Sequence, residues 1–251
     1  MLSSMPMTKL SVNVNKLATL RNSRGKNTPN VAEMAARIIG LGAHGITVHP
    51  RPDGRHIRRD DVFDLKKIVK APIEYNIEGY PSPDFLELLE SAAPDQATLV
   101  PDPPEALTSN AGWDLSTNEA ALTGIAARLR DRKIRVSLFV DPARFDAQEL
   151  SALKRIRPDR IELYTEAFHD AFNTPNRAQM TALYSRVAKL AKENGVAVNA
   201  GHDLNQENLS YLLEHVPEIE EVSIGHALIC EALLEGLPAT IRNYLTIVKR
   251  E

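Results

Sequence analysis

A thirteen-residue stretch near the N-terminus combines proton-transfer groups with anion-binding groups. It runs from Gly45 to Ile57 and reads GITVHPRPDGRHI. Its β-branched start favours a strand, and its prolines end that strand because proline has no amide hydrogen to share. The loop that follows carries His49, Arg51, Arg55 and His56. Imidazoles titrate near neutral pH and guanidinium groups bind phosphate, so the loop suits a phosphorylated substrate, although a solvated basic turn would carry the same residues.

Comparable polar groups stand at the ends of other apolar stretches. They are Asn15, Lys16, Glu78, Thr108, Glu162, His202 and His226. Carboxylates and imidazoles together indicate acid–base chemistry on a carbon skeleton. Gly225 and His226 also precede a predicted helix, whose free amides bind phosphate without a charged side chain. Each group has a structural alternative: Glu78 would also fit a salt bridge, and His202 a plain turn.

Apolar runs and helix signals alternate along the chain and predict eight strand–helix units. The predicted strands are Leu10–Val14, Ile46–Val48, Ile73–Ile77, Gln96–Val100, Ile134–Val140, Arg160–Tyr164, Val196–Asn199 and Glu221–Ile224. Helices are predicted from Asn30, from Asp60, and over Pro83–Ser91, Asn118–Arg130, Gln148–Arg155, Arg177–Asn194, Asn205–Glu214 and Ala227–Val248. Eight such units predict an α/β protein, a single (β/α)8 TIM barrel with additional helices. The ends of its strands would bring the polar groups above to one face.

The segments between these elements carry further predictions. The chain from Asn15 to Gly25 is expected to be a long polar loop, and Pro101–Ser116 and Thr165–Asn176 are expected to be irregular. Residues 1–251 are expected to form one domain, with residues 1–8 as a flexible N-terminal extension.

Composition limits the classes of function. The net charge is −3 and 25% of residues are charged, which does not favour nucleic-acid binding. Cys230 is the single cysteine, so it is expected to be buried packing in a protein of a reducing compartment. Neither a secretory signal nor a membrane-spanning segment is recognisable, so a cytoplasmic location is expected. No HExxH helix or close Cys/His spacing favours a metal.

Four long motifs, in order, resemble the pyridoxine 5'-phosphate synthase family. They are SVNVNKLATLRNSRG at Ser11–Gly25, GITVHPRPDGRHI at Gly45–Ile57, VNAGH at Val198–His202 and SIGHALI at Ser223–Ile229. The resemblance covers almost the whole chain. It implies a TIM barrel assembled as a homo-oligomer, commonly an octamer, with no metal or organic cofactor.

The resemblance also implies a reaction and a set of residue roles. The reaction condenses 1-deoxy-D-xylulose 5-phosphate with 3-amino-1-hydroxyacetone 1-phosphate, and it releases phosphate and water as the pyridine ring closes. By motif position, His49 and Glu78 would be proton acceptors, His202 the proton donor and Glu162 a supporting carboxylate. The deoxyxylulose phosphate would bind Arg51, His56 and Thr108. The amino-ketone phosphate would bind Asn13, Arg24, Gly225 and His226.

The sequence departs from the commonest family pattern at three positions. Asn15 and Lys16 stand where an Asp-His pair is usual, and Asp203 stands where glycine is usual. These three are still expected to line the substrate site. Lys16 would neutralise substrate phosphate or polarise a carbonyl, and Asp203 is unfavourable near an anion unless it points away or pairs with a base. Two alternatives stay open: an aldolase or isomerase with Lys16 as Schiff-base former, and a catalytically silent barrel that binds phosphorylated metabolites.

Overall fold

A closed barrel of eight parallel strands forms the centre of the computed structural model, which describes residues 7–102 and 111–249. Each strand pairs with the next in chain order, and the last pairs with the first. The strands are β1 Lys9–Asn13, β2 Gly45–Val48, β3 Glu74–Gly79, β4 Gln96–Leu99, β5 Arg135–Val140, β6 Arg160–Leu163, β7 Ala197–His202 and β8 Ile219–Ile224. The predicted TIM barrel is confirmed, and every predicted strand is present.

Helices surround the barrel. Within the described residues they are α1 Asn15–Asn22, α2 Val31–Gly40, α3 Arg59–Ile68, α4 Pro83–Ala92, α5 Leu115–Asp131, α6 Ala147–Ile156, α7 Glu166–Ala171, α8 Arg177–Glu193, α9 Leu209–His215, α10 His226–Glu235 and α11 Leu237–Lys249. The Asn30 side chain caps α2 by accepting from the Glu33 amide at 3.1 Å, as its position predicts. Gly195 follows α8 at φ +74°, a conformation that favours glycine.

The apolar core lies between the strands and the helices, while the inside of the barrel is polar. Arg160 on β6 contacts Glu74 on β3 at 3.4 Å and Glu221 on β8 at 3.3 Å. Because these strands are not neighbours, the three side chains meet across the barrel interior. Above them, the Asn76 side chain donates to Thr47 and accepts from Thr98. Alternate strand residues therefore line a polar column that leads to the carboxyl ends of the strands.

The prediction of a polar loop from Asn15 to Gly25 is wrong, because residues 15–22 form α1. Its Leu17 and Ala18 are buried against the barrel. Arg21 is buried as well, because its guanidinium pairs with Asp61 of α3. Because Arg21 is charged and its partner is distant in the sequence, the local pattern of apolar residues does not show that this position is buried.

Three other expectations need correction. The final predicted helix is two helices, α10 and α11, which Gly236 separates at φ +83°. Part of the stretch expected to be irregular after β6 forms α7. Cys230 is exposed rather than buried, because it lies on the outer side of α10.

The described chain begins just before β1. Thr8 is fully buried, and its hydroxyl donates to the carbonyl of Ile219 at 3.0 Å. Met7 is exposed, and residues 1–6 of the predicted N-terminal extension lie outside the described residues. In the described parts of the chain, no helix is long and apolar enough to cross a lipid bilayer.

Candidate active site

A cavity of about 540 Å³ opens at the carboxyl ends of the strands. Within the described residues, every residue that the sequence nominates lines it except Arg24: Asn13, Asn15, Lys16, His49, Arg51, His56, Glu78, Glu162, His202, Asp203, Gly225 and His226. Arg24 is exposed beyond the end of α1, and Thr108 lies outside the described residues. The topology thus brings nominated residues from six strand ends to one mouth.

His49 is a buried imidazole at the end of β2. Burial, followed by the positive charge of Arg51, holds the pKa of His49 well below its usual value of 6.5. The ring is therefore neutral at pH 7 and able to accept a proton. Its backbone is fixed by Asn15, whose side-chain oxygen accepts from the His49 amide at 2.9 Å. Asn15 is itself held in place, because its backbone N–H donates to Oδ1 of Asn13 at 3.0 Å.

Two carboxyl groups, Glu78 on β3 and Glu162 on β6, face the cavity from opposite sides of the barrel. Burial raises the pKa of Glu78 to about 8, although the charge of Arg51 acts in the opposite direction. Burial, followed by the charge of Glu78, raises the pKa of Glu162 well above 4.5. Glu78 therefore holds a proton at neutral pH, and any charge on Glu78 further opposes ionisation of Glu162. The Asn13 side chain donates to Glu78 at 3.4 Å.

His202 reaches the cavity through an unusual backbone conformation at the end of β7. Its φ is +75°, in the left-handed region that residues other than glycine rarely occupy. The preceding Gly201 packs against β6 and β8: a Cβ there would lie 2.7 Å from Oε1 of Glu162 and 2.8 Å from the Ser223 carbonyl oxygen. Glycine at 201 therefore allows the Glu162 carboxyl to approach the strand that carries His202.

The loop after β2 supplies one anion-binding wall, formed by Arg51, Arg55 and His56. Burial and the charge of Arg51 lower the pKa of His56 to about 4, so its ring is neutral. His56 Nδ1 accepts from the Ile57 amide at 2.9 Å, which leaves Nε2–H as a donor. The Asn22 side chain of α1 donates to the His56 carbonyl at 2.8 Å and also contacts the two preceding carbonyls, so α1 fixes this loop.

A second anion-binding wall lies at the N-terminus of α10. Gly225 occupies the N-cap position, and no side chain caps the helix there. A Cβ at Gly225 would lie 3.0 Å from the Cβ of Asn13, so glycine lets α10 start directly beside β1. The free amides and the positive end of the helix dipole favour an anion at this point. Lys16 on α1 and His226 on α10 also line the cavity, and both are exposed.

The sequence does not single out several of the residues that line the cavity. They are Thr19, Thr98, Val100, Phe139 and Ser223, while Arg55 is named on the β2 loop without an assigned role. Ser223 lies on β8, two residues before Gly225, so the alternation of side chains along a strand places it on the same inner face. The same alternation predicts that Thr98 on β4 and Phe139 on β5 face the cavity. In the ranges 7–102 and 111–249, no group of three or more His, Cys, Asp or Glu residues is arranged to hold a metal ion.

The fold and the site together define a (β/α)8 barrel with an acid–base centre between two anion-binding walls. Residues 10–250 match the family model described as Pyridoxal phosphate biosynthesis protein PdxJ. The chain belongs to this family.

Known proteins agree with this membership. The chain is 49% identical over 244 residues to the pyridoxine 5'-phosphate synthase of Cytophaga hutchinsonii, covering 97% of this chain and 100% of the relative. It is 49% identical to the enzyme of the same name from Bacteroides fragilis, covering 95% and 98% of the two chains. Phosphoribosyl anthranilate isomerase from Thermotoga maritima shares the fold with a TM-score of 0.62 at 13% identity, covering 97% and 99%.

Proposed function

We propose that this barrel is a pyridoxine 5'-phosphate synthase that joins 1-deoxy-D-xylulose 5-phosphate to 3-amino-1-hydroxyacetone 1-phosphate. The observation that carries the proposal is the arrangement of one neutral imidazole and two carboxyl groups with raised pKa values between two anion-binding walls. Two phosphorylated substrates need two such walls. Ring closure with loss of phosphate and water needs both proton acceptors and proton donors.

His49 is the principal proton acceptor in this proposal. It is neutral at pH 7 and buried, so it removes a proton from substrate carbon without first losing one itself. Glu78 is mostly protonated at pH 7, and with a pKa of about 8 roughly a tenth of it is ionised. Glu78 therefore accepts a proton more readily as the pH rises towards 8. Glu162 is a supporting carboxyl group close to His202, which is the proton donor.

The two phosphate groups are assigned to the two walls. Arg51 and the Nε2–H of His56 hold the deoxyxylulose phosphate from the β2 loop, with Thr108 as a further predicted contact. Gly225 and His226 hold the amino-ketone phosphate at the start of α10, with Asn13 and Arg24 as predicted contacts. Lys16 neutralises phosphate charge from α1. It is exposed, whereas a Schiff-base lysine is activated by desolvation, so exposure argues against an aldolase mechanism.

The decisive experiment mixes the purified protein with both substrates and measures pyridoxine phosphate and released phosphate. We expect equal amounts of the two products. A correctly folded protein that forms neither product would contradict the proposal and would favour a silent binding barrel. Borohydride treatment during turnover is expected to leave Lys16 unlabelled, and labelling in a productive reaction would favour the aldolase.

The proposal includes self-association, as a homo-octamer, in the cytoplasm. Leu233 and Leu234 on α10 are 77% and 90% exposed, and Leu20 on α1 is 54% exposed. Large exposed aliphatic side chains on adjacent helices favour burial against another copy. Sedimentation is expected to give eight chains, and Leu234→Glu is expected to reduce that number. A single cysteine, which excludes an intrachain disulfide, supports the reducing compartment.

A further inference from the structure

Asp203 forms a close pair with the histidine that precedes it. Nδ1 of His202 lies 2.7 Å from Oδ2 of Asp203, and the two side chains are 34% and 32% exposed. Consecutive residues of a regular strand point to opposite faces, so two such side chains do not normally meet. Here they meet because β7 ends at His202 with a φ of +75°. The backbone turn therefore creates the pair.

The position of Asp203 is fixed by the loop that follows it. The side chain of Asn208 donates to the Asp203 carbonyl at 3.2 Å, and Asn208 is 1% exposed. Asn208 also accepts from the Asn205 amide at 3.0 Å, and Leu204 is fully buried. The carboxylate therefore belongs to an ordered segment and keeps its place beside the imidazole before any substrate binds.

We infer that Asp203 is a positioning residue for the proton donor: it binds Nδ1–H of His202 and leaves Nε2–H as the only ring proton available to the substrate. This inference rests on the proposed function. When Nε2–H passes to the leaving oxygen of the substrate, the ring becomes neutral and keeps its Nδ1–H bonded to Asp203. Asp203 stays ionised throughout, so one proton moves and the charge on the pair falls by one.

The charges around the pair agree with this role. Burial by itself lowers the pKa of His202, but the hydrogen bond and charge of Asp203 lead the contributions that outweigh burial and raise it. The Tyr164 ring packs edge-on against His202 with centroids 5.7 Å apart. The histidines that act on Asp203 from α7 and α10 are His169 and His226, and with His202 they keep the pKa of Asp203 low despite burial.

The test has a readout that does not depend on turnover. Histidine-labelled protein is titrated by NMR, and His202→Gln identifies the His202 resonance among the seven histidines. In Asp203→Asn the amide oxygen still accepts from Nδ1–H but carries no charge. We expect the titration midpoint of His202 to fall by about one pH unit, a tenfold change in proton affinity. Asp203→Glu is expected to keep the midpoint near the wild-type value.

Kinetics provide the second readout. Asp203→Asn is expected to lower kcat by about tenfold or more, with smaller changes in both KM values, and to shift the alkaline limb of the pH profile to lower pH. Asp141→Asn is the matched control. It removes the same charge after β5, where Asp141 accepts from the Ala143 amide at 2.9 Å and does not contact His202. This control is expected to leave the midpoint and kcat unchanged.

Two results would overturn the inference. One is an unshifted His202 midpoint in folded Asp203→Asn, and the other is an unchanged kcat and pH profile in Asp203→Ala with a wild-type thermal midpoint. Failure of the proposed function is distinct, because it appears as absence of product with the wild-type protein. In that event the NMR titration alone decides whether Asp203 governs the protonation of His202.

Discussion

Arg21 of α1 and Asp61 of α3 form a buried ion pair beside the active site. Nη1 of Arg21 lies 2.5 Å from Oδ1 of Asp61, and Nη2 lies 2.8 Å from Oδ2, so the contact is bidentate. The two side chains are 4% and 14% exposed. Arg21 Nη2 also donates to the carbonyl of His56 at 3.2 Å. The pair therefore links two helices to the loop that carries one anion-binding wall.

Asp61→Asn is expected to destabilise the protein. It leaves the Arg21 guanidinium buried without its carboxylate, which costs about 3 kcal/mol of unfolding free energy. Urea denaturation measures the loss. The control is Asp64→Asn on the same helix, which removes an exposed pair with Lys67 and should cost less than about 0.5 kcal/mol. Equal effects of the two substitutions would contradict the role assigned to the buried pair.

His49→Asn is expected to reduce turnover by about 10²-fold or more, because it removes the neutral imidazole that accepts a proton. Steady-state kinetics with both substrates measure the loss. The low pKa of His49 also means that this residue produces no rise in wild-type activity near pH 6.5. His215→Asn, at an exposed position on α9, is the control and should retain full activity. Unchanged turnover in His49→Asn would remove His49 from the reaction.

Much of the architecture follows from the sequence because the strands and most helices carry local signals. Apolar runs mark the strands, and the Asn30 cap marks the start of α2. The helix α1 lacks a clear local signal, because its buried face includes the charged Arg21. The burial of Arg21 is compensated by Asp61, which lies forty residues away in the sequence. The sequence does not predict the break at Gly236, because α10 and α11 are both rich in apolar residues and the pattern continues across the glycine.

The site was predictable as a set of residues but not as a set of contacts. Strand ends and family motifs nominated His49, Glu78 and His202, and the barrel brings them to one cavity. The Asn15 contact with the His49 backbone joins two different strand ends, and the His202–Asp203 pair depends on a left-handed residue. Neither arrangement leaves a periodic pattern in the sequence.

Arg24→Ala tests the site residue that lies outside the cavity lining. Its side chain is exposed just beyond the end of α1. If Arg24 binds the amino-ketone phosphate, KM for that substrate should rise about tenfold, since a charge-assisted hydrogen bond contributes ~1.5–3 kcal/mol. The value of kcat should change little. Arg37→Ala on α2 is the control, and an unaltered KM in Arg24→Ala would argue against the phosphate contact.

Glu78→Gln is expected to lower kcat by about 10²-fold or more, because the amide neither accepts nor donates the catalytic proton. The wild-type kcat/KM should rise through pH 8 as Glu78 ionises, and the variant should lack this rise. Glu87→Gln on the exposed side of α4 is the control and should keep the wild-type profile. A variant that retained the rise would show that another group produces it.

The same substitution is expected to stabilise the protein at alkaline pH. The pKa of Glu78 is about 8 in the folded protein and close to 4.5 in the unfolded chain. Between these values the unfolded state has released a proton that the folded state retains, so wild-type stability falls as the pH rises. Glutamine stays neutral and avoids this loss. Thermal unfolding should therefore give similar midpoints at pH 4.5 and a variant more stable by about 4 kcal/mol at pH 8.5. Equal midpoints at both pH values would contradict the raised pKa.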